Sequence, residues 1–155
     1  MTLDELADYG MHRMDDDEIE SFLSSHSVGI LGLPTEAAPY LLPMSYGYEG
    51  GSNLYFFYVT GGDSRKTDLS DQVESASFLV YSAETLFNWR SVLLTGTVER
   101  MPEEKRATLS DAEIPNWRPE LFEKSSAAEG SHLYEFQLEE WTGISHTDLP
   151  PGFYQ

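Results

Sequence analysis

The segment Ser27–Thr60, SVGILGLPTEAAPYLLPMSYGYEGGSNLYFFYVT, decides the fold of this chain. Its apolar runs predict three strands, at Ser27–Leu33, Tyr40–Tyr48 and Leu54–Thr60. Pro34–Pro39 separates the first two runs, and Glu49–Asn53, with its two glycines, is typical of a hairpin turn between the second and third. The segment therefore predicts three consecutive antiparallel strands.

Outward from this segment, three more strands and several helical stretches are expected. The further strands are predicted at Ala76–Ser82, Trp89–Met101 and His132–Ile144. The acidic run that starts at Asp15, followed by Ile19, Phe22 and Leu23, predicts a capped amphipathic helix over 16–25. A helical turn or two is predicted over 67–72, a helix over 102–112, and an irregular helical stretch over 114–128. Six strands with few helices favour a mainly β fold, a closed or nearly closed antiparallel barrel with peripheral helices.

Length and composition indicate one folded domain. The chain has 155 residues, of which 40% are apolar and 13% aromatic, enough for a single core. We expect an N-terminal arm over 1–14, the barrel domain over 15–145 and an irregular tail over 146–155. The N-terminal region lacks a basic start with an apolar run, and no stretch is apolar enough for a membrane helix, so a cytoplasmic protein is expected.

The charge is strongly one-sided. Asp and Glu number 27 against nine Lys and Arg, which gives a formal net charge of -18. Such a surface repels nucleic acids and anionic membranes, so neither is an expected partner. The acidic excess is typical of halophilic adaptation, because hydrated carboxylates tolerate concentrated salt. The chain has no cysteine, which excludes disulfides and thiolate chemistry.

One basic segment stands out against this background. Gly61–Thr67, GGDSRKT, places Arg65 and Lys66 beside Ser64 in a glycine-rich turn after a predicted strand. Two cations, hydroxyls and backbone N–H groups at a helix start could hold a phosphate. The same cations could instead pair with local aspartates, Asp63, Asp68 and Asp71, and the segment alone leaves both interpretations open.

Other residues carry weaker signals. Alternation along the predicted strand 89–101 places Ser91 on one face, with Leu93 and Thr95, and Arg90 on the other. The four histidines lack metal-ligand spacing, so no metal site is predicted. Trp141 is the tryptophan best placed to touch a bound ring, although a core or interface role is expected for all three tryptophans.

The order of these elements resembles a known superfamily. Phe57-Tyr58, then Ser64-Arg65-Lys66, then Arg90-Ser91-Val92 with Gly96 and Glu99, is similar to the pyridoxamine 5'-phosphate oxidase-like flavin-binding split-barrel proteins. The Pro39-Tyr40 and Pro43 pattern is most similar to the small nitroimidazole-resistance-type members. The resemblance covers about residues 16–105.

The resemblance implies an FMN-binding six-stranded split β-barrel that forms a homodimer with sites at the subunit interface. By position, Ser64, Arg65 and Lys66 match the phosphate-binding turn, and Tyr58 and Val59 the adjacent strand end. Met44 and Ser45 fall on the strand whose backbone borders the flavin ring, and Ser91 falls where the oxidase places a polar residue from the partner subunit.

The sequence also departs from the family. The Trp and Arg of the oxidase C-terminus have no counterparts, so pyridoxamine phosphate is not the expected substrate. Phe57 stands near the position where nitroimidazole-resistance proteins usually carry a histidine. We expect a small FMN-dependent oxidoreductase acting on an unidentified small molecule, with no catalytic residue assigned. The alternatives are a non-catalytic flavin- or haem-binding module and an F420-dependent reductase.

Overall fold

The computed structural model describes residues 10–48, 50–59, 75–101 and 131–147, with the backbone alone at 57–59, 131 and 132. This part of the chain is mainly β. Its elements, in chain order, are β1 Met11–Arg13, α1 Asp16–Ser25, β2 Val28–Leu33, β3 Tyr40–Gly47, β4 Asn53–Val59, β5 Ala76–Thr85, β6 Asn88–Arg100 and β7 Ser131–His146.

Six of the strands form a closed antiparallel barrel. The strands are adjacent in the order β7-β4-β3-β2-β5-β6, and β6 pairs with β7 to complete the circle. The last strand is therefore shared: β7 pairs with β4 through residues 131–137 and with β6 through residues 134–146. The predicted fold class, a mainly β six-stranded antiparallel barrel, is confirmed.

Alternating side chains fill the barrel. On β2, Leu31 and Leu33 are fully buried, whereas Ile30 and Gly32, which alternate with them, lie on the outer side. Aromatic rings occupy the centre, with the Phe56 and Phe78 centroids 4.8 Å apart and those of Phe56 and Phe136 5.8 Å apart. Such packing of large rings supplies much of the apolar burial that stabilises a barrel of this size.

Helix α1 covers one end of the barrel. The Asp15 carboxylate accepts from the Glu18 N–H at 2.8 Å, and the Glu18 side chain accepts from the Asp15 N–H, which completes the predicted cap. The apolar side of α1 is buried against the strands through Ile19, Phe22 and Leu23. The helix prediction over 16–25 is confirmed.

One short strand was not predicted, and two glycines account for the predicted hairpin turn. Residues 11–13, within the predicted arm, form β1, which pairs with the end of β7. The hairpin between β3 and β4 contains Gly50 and Gly51 at φ +95° and +84°, where a side chain would be strained. The helical stretches predicted over 67–72, 102–112 and 114–128 lie outside the described residues.

Candidate functional site: a split between two strands

The barrel has a split between β3 and β4. These strands pair only through Tyr46 with Phe56 and Gly47 with Tyr55. Beyond that point β3 continues to pair with β2 along residues 40–45, and β4 continues to pair with β7 along residues 57–59. The facing edges of β3 and β4 therefore have no register partner in each other and form the walls of an opening.

The register identifies which backbone groups face the split. The Tyr46 N–H donates to the Ser27 carbonyl at 2.9 Å, so the polar groups of Tyr46 point toward β2. Because these groups alternate along a strand, those of Ser45 and Pro43 point the other way, toward β4. Pro43 has no N–H to donate. Because its polar groups face away from β2, the proline removes no hydrogen bond between β3 and β2. The split is thus lined by the Pro43 carbonyl and the backbone of Ser45.

The two predicted residues on β3 point in opposite directions. The Met44 side chain is buried in the core, and its N–H and C=O, like those of Tyr46, point toward β2. The Ser45 side chain is half-buried on the outside of the barrel. Neither placement conflicts with the expectation that the backbone of this strand borders a ring.

Tyr58 and Val59 lie at the far end of β4 from α1. Their backbones pair with His132 and Ser131 of β7. Extending the β3–β4 register across the split places Ser45 opposite Phe57, and Met44 opposite Tyr58. The predicted phosphate-binding residues Ser64, Arg65 and Lys66 lie outside the described residues.

Ser91 is remote from Tyr58 within one chain. Ser91 pairs with Ile144 of β7, whereas Tyr58 pairs with His132 of the same strand. These positions on β7 are about 40 Å apart along the strand, at roughly 3.3 Å per residue. One protomer therefore does not bring Ser91 and the end of β4 to the same ligand.

Ser91 instead lies on an apolar outer face that sequence reasoning missed. We call "the outer face" the exposed or half-exposed apolar side chains on four neighbouring strands: Val28, Ile30, Leu41, Leu79, Tyr81 and Leu93. Leu41 is 66% exposed and Val28 55%, although both lie on central strands. This face could have been predicted, because β2 and β3 carry apolar residues at both odd and even positions. Such a pattern indicates strands that are covered on both faces.

The registers make the outer face continuous. Ile30 pairs with Leu79, and Leu79 pairs with Leu93. Ser45 pairs with Val28, and Ser91 pairs with Tyr81, so both serines border the same face. The predicted separation of Ser91 and Leu93 from Arg90 is confirmed, since Val92 and Leu94 on the Arg90 side are fully buried.

Trp141 is held by α1. Its indole N–H donates to Asp16 Oδ1 at 2.9 Å, and its ring packs against the main core. The core role expected for Trp141 is therefore observed, and its ring lies at the α1 end. Trp89 stacks on the buried His146 at a centroid distance of 5.9 Å.

Two tyrosines at this end have shifted acidity. Burial raises the pKa of Tyr46, whose hydroxyl donates to the Leu23 carbonyl at 2.7 Å. Burial and, secondarily, the Glu20 carboxylate raise the pKa of Tyr48 to about 12. Both phenols are therefore protonated near neutral pH and serve as hydrogen-bond donors.

Neither a membrane-spanning helix nor a metal-ligand cluster is found in the described ranges. No helix there combines the length and hydropathy needed to cross a bilayer. Nor do three or more histidine or carboxylate groups in those ranges converge in a way that could hold a metal ion.

Several solved structures share this architecture. A FAD-binding protein from Mesorhizobium loti aligns with a TM-score of 0.66 and 20% identity, over 89% of this chain and 98% of its own. A proposed 5-nitroimidazole antibiotic resistance protein from Bacteroides thetaiotaomicron aligns with a TM-score of 0.65 and 22% identity, over 88% and 89%. A FAD and heme binding protein from Mycobacterium smegmatis aligns with a TM-score of 0.67 and 19% identity, over 91% and 75%.

At these identities the structural matches establish the fold alone. A comparison with curated proteins gave no significant match. The family comparison is more specific, because the pyridoxamine 5'-phosphate oxidase model matches residues 15–145, which include all six barrel strands apart from the last residue of β7. On this evidence the chain belongs to the pyridoxamine 5'-phosphate oxidase family.

Proposed function

We propose that this protein binds FMN and acts, as a homodimer, as a small flavin-dependent oxidoreductase. The observation that carries the proposal is the split between β3 and β4, whose walls are unpaired strand edges. Family membership supports a flavin as the ligand, as do solved structures of the same fold that are described as FAD-binding.

The split fits the polar edge of a flavin ring. The isoalloxazine pyrimidine edge carries one N–H donor between two carbonyl acceptors. Facing the split are the Pro43 carbonyl, which accepts, and the Ser45 N–H, which donates. A ring edge placed there would satisfy backbone groups that otherwise require water.

The flavin phosphate would bind beyond the end of β4. Ser64, Arg65 and Lys66 follow Val59 closely in the chain, and charge-assisted contacts from a guanidinium and an ammonium suit a phosphate dianion. Tyr58 and Val59 would border the ribityl chain between ring and phosphate. On this assignment the basic segment binds the flavin phosphate, rather than only forming ion pairs with the neighbouring aspartates.

A second copy of the chain would complete each site. Ser91 is too far along β7 to reach the β4 end of its own protomer, yet it borders the outer face. Burial of that face against a second copy would remove exposed leucine, valine and tyrosine side chains from water. Pairing of two outer faces would bring Ser91 of one copy toward the split of the other.

When bound, the flavin would supply hydride or electron transfer to a small-molecule substrate. The residues of this chain would bind the cofactor, orient its ring through the Pro43 and Ser45 backbone, and exclude water at the interface. No acid or base is assigned. The proposed substrate is a small molecule that is not identified further.

The absorbance spectrum of the purified protein, with mass analysis of the released cofactor, tests the proposal. The released cofactor is expected to be FMN. Release of FAD would show that the cofactor is FAD, while the proposed flavin site would stand. The double variant Arg65→Ala/Lys66→Ala should weaken FMN binding by several kcal/mol, of the order expected for two charge-assisted contacts. Arg13→Ala, which removes an exposed cation on β1, is the matched control. A protein that neither retains nor rebinds any flavin would refute the assignment.

A flavin- or haem-binding module without turnover is the second candidate. It is favoured by the Mycobacterium smegmatis structure, described as a FAD and heme binding protein, which shares this fold. A Soret band would identify haem, and bound flavin that neither NAD(P)H nor a reductase reduces would favour the non-catalytic role. A deazaflavin spectrum would instead identify an F420-dependent reductase.

A further inference from the structure

A second cavity lies between α1 and the start of β6. It has a volume of about 410 Å³ and is open to solvent. Its wall on the helix side is one face of α1, and Arg90 lies across from it on β6. We call this cavity the α1–β6 groove; its full lining is Met14, Asp17, Glu18, Ser21, Phe22, Ser25, His26 and Arg90.

The polar groups of the groove divide into two sets. Glu18 is engaged in the helix cap, and the Ser25 hydroxyl donates to the Phe22 carbonyl at 2.9 Å. His26 is fixed by its Nδ1, 2.8 Å from the same carbonyl. In the described part of the chain, no hydrogen bond or ion pair joins the side chain of Asp17, Ser21 or Arg90 to another residue.

The second set, Asp17, Ser21 and Arg90, places opposite charges on the two walls of the groove. Asp17 and Ser21 are one helical turn apart on the same face of α1, so they present a carboxylate and a hydroxyl side by side. Arg90 presents a guanidinium from the opposite wall. The two opposite charges line one cavity without pairing, so the space between them is available to a molecule that carries both complementary charges.

The floor of the groove is apolar. Phe22 and Met14 are both 5% exposed and form part of the main core. An apolar floor between a carboxylate and a guanidinium suits a short hydrocarbon chain with charged ends. Neither charged group belongs to the split, which β3 and β4 border, since Asp17 lies on α1 and Arg90 on β6.

We propose that the α1–β6 groove binds a small zwitterion, with its ammonium group at Asp17 and Ser21 and its carboxylate at Arg90. His26, held through Nδ1, also lines this cavity. The site is independent of flavin binding, because it uses none of the residues assigned to the cofactor.

Binding of glycine, 4-aminobutyrate and 6-aminohexanoate to the purified full chain tests the proposal. The titrations are done by calorimetry at an ionic strength of about 0.1 M, where exposed charges are only partly screened. Saturable binding of at least one zwitterion is expected, about tenfold tighter than butyrate or butylamine.

Single substitutions then separate the two ends of the ligand. Arg90→Gln should reduce the affinity for the zwitterion to that for butylamine, and Asp17→Asn should reduce it to that for butyrate. Arg13→Gln and Glu139→Gln make the same charge changes outside the groove and should leave binding unchanged. Absence of saturable binding by all three zwitterions, or equal affinity in the Arg90→Gln and wild-type proteins, would overturn the proposal.

Discussion

The indole N–H of Trp141 donates to Asp16 Oδ1 at 2.9 Å, which joins the first turn of α1 to the longest strand of the barrel. The bond connects residues 125 positions apart in the chain. It therefore fixes where the helix begins on the barrel end, while Ile19 and Leu23 supply the apolar contact.

Loss of this bond should lower the free energy of unfolding. Asp16→Ala removes the acceptor and is expected to cost about 1 kcal/mol, toward the lower end for a hydrogen bond to a charged group because the site is exposed. Asp17→Ala removes the neighbouring carboxylate, which makes no bond to Trp141, and is the matched control. Urea denaturation of both variants measures the difference; equal midpoints would show that the bond contributes nothing.

Gly96 tolerates no side chain. It lies at a register shift between β6 and β7, and a Cβ there would overlap the Gln137 carbonyl and come within 2.9 Å of a Phe136 ring carbon. Gly96→Ala should lower the free energy of unfolding by about 2 to 4 kcal/mol, because backbone must move.

Gly32→Ala is the control for this substitution. Its Cβ would approach the flexible end of Leu41 at 3.3 Å and the Ser77 carbonyl at 3.6 Å, an ordinary contact distance, so a much smaller change is expected. Thermal unfolding compares the two variants. Similar melting temperatures would indicate that the bulge at Gly96 relaxes freely.

The proposed dimer should depend on the outer face. Leu93→Asp places a charge within this face, beside Leu79, and should raise the dimer dissociation constant about tenfold or more. Leu86→Asp introduces the same charge at a residue 78% exposed, at the β5–β6 turn and outside the outer face. Sedimentation equilibrium should show weaker association for Leu93→Asp alone. Unchanged association of both variants would place the interface elsewhere.

The same dimer should tighten as salt increases. Each copy carries a formal charge of -18, so association brings two strongly acidic surfaces together. Raising KCl from about 0.1 M to about 1 M shortens the screening length from about 10 Å to about 3 Å and weakens this repulsion. Sedimentation in a KCl series should show a falling dissociation constant. A constant that rises with KCl would mean that attractive ion pairs dominate the interface.

Alkaline pH should destabilise the fold through Tyr46. Burial raises the pKa of this phenol above its ordinary value of 10.0, so the unfolded chain releases the proton first. The stabilisation is complete below pH 10 and declines as the pH rises above it. Tyr46→Phe should cost about 1 kcal/mol at pH 7, through the lost bond to Leu23, and should flatten the stability profile above pH 10.

Tyr48→Phe is the comparison for this pH effect. Its pKa is raised less, to about 12, and its hydroxyl lies at the exposed hairpin. Denaturation midpoints measured from pH 8 to about pH 11 distinguish the two variants. An unchanged slope in Tyr46→Phe would assign the alkaline loss to other groups.

Local sequence signals predicted the helix and strands themselves better than the strand ends and short strands that depend on pairing with another strand. The helix over 16–25 followed from a cap and an apolar spacing that are complete within one segment. β5 extends to Thr85, beyond the predicted end at Ser82, because pairing of Thr85 with Asn88 is a contact with the following strand. β1 has three residues and no period of its own, and it forms against the end of β7.

The candidate site was only partly predictable for the same reason. Met44 and Ser45 were placed on the right strand, but the split depends on where β3 and β4 stop pairing, which no local pattern specifies. Pro43 was a usable signal, since proline inside a ladder favours an unpaired edge. The distance of Ser91 from Tyr58 along β7 became visible only with the register of both neighbours.

The shared strand β7 also determines when the molecule can fold. It pairs with the short strand β1 near the start of the described residues, and with β4 and β6 farther along the chain. A nascent chain on the ribosome cannot close the barrel until β7 has emerged. Contacts of such long sequence separation slow folding, so the open sheet β4-β3-β2-β5-β6, with edges still exposed, is the species that chaperones would need to protect during synthesis.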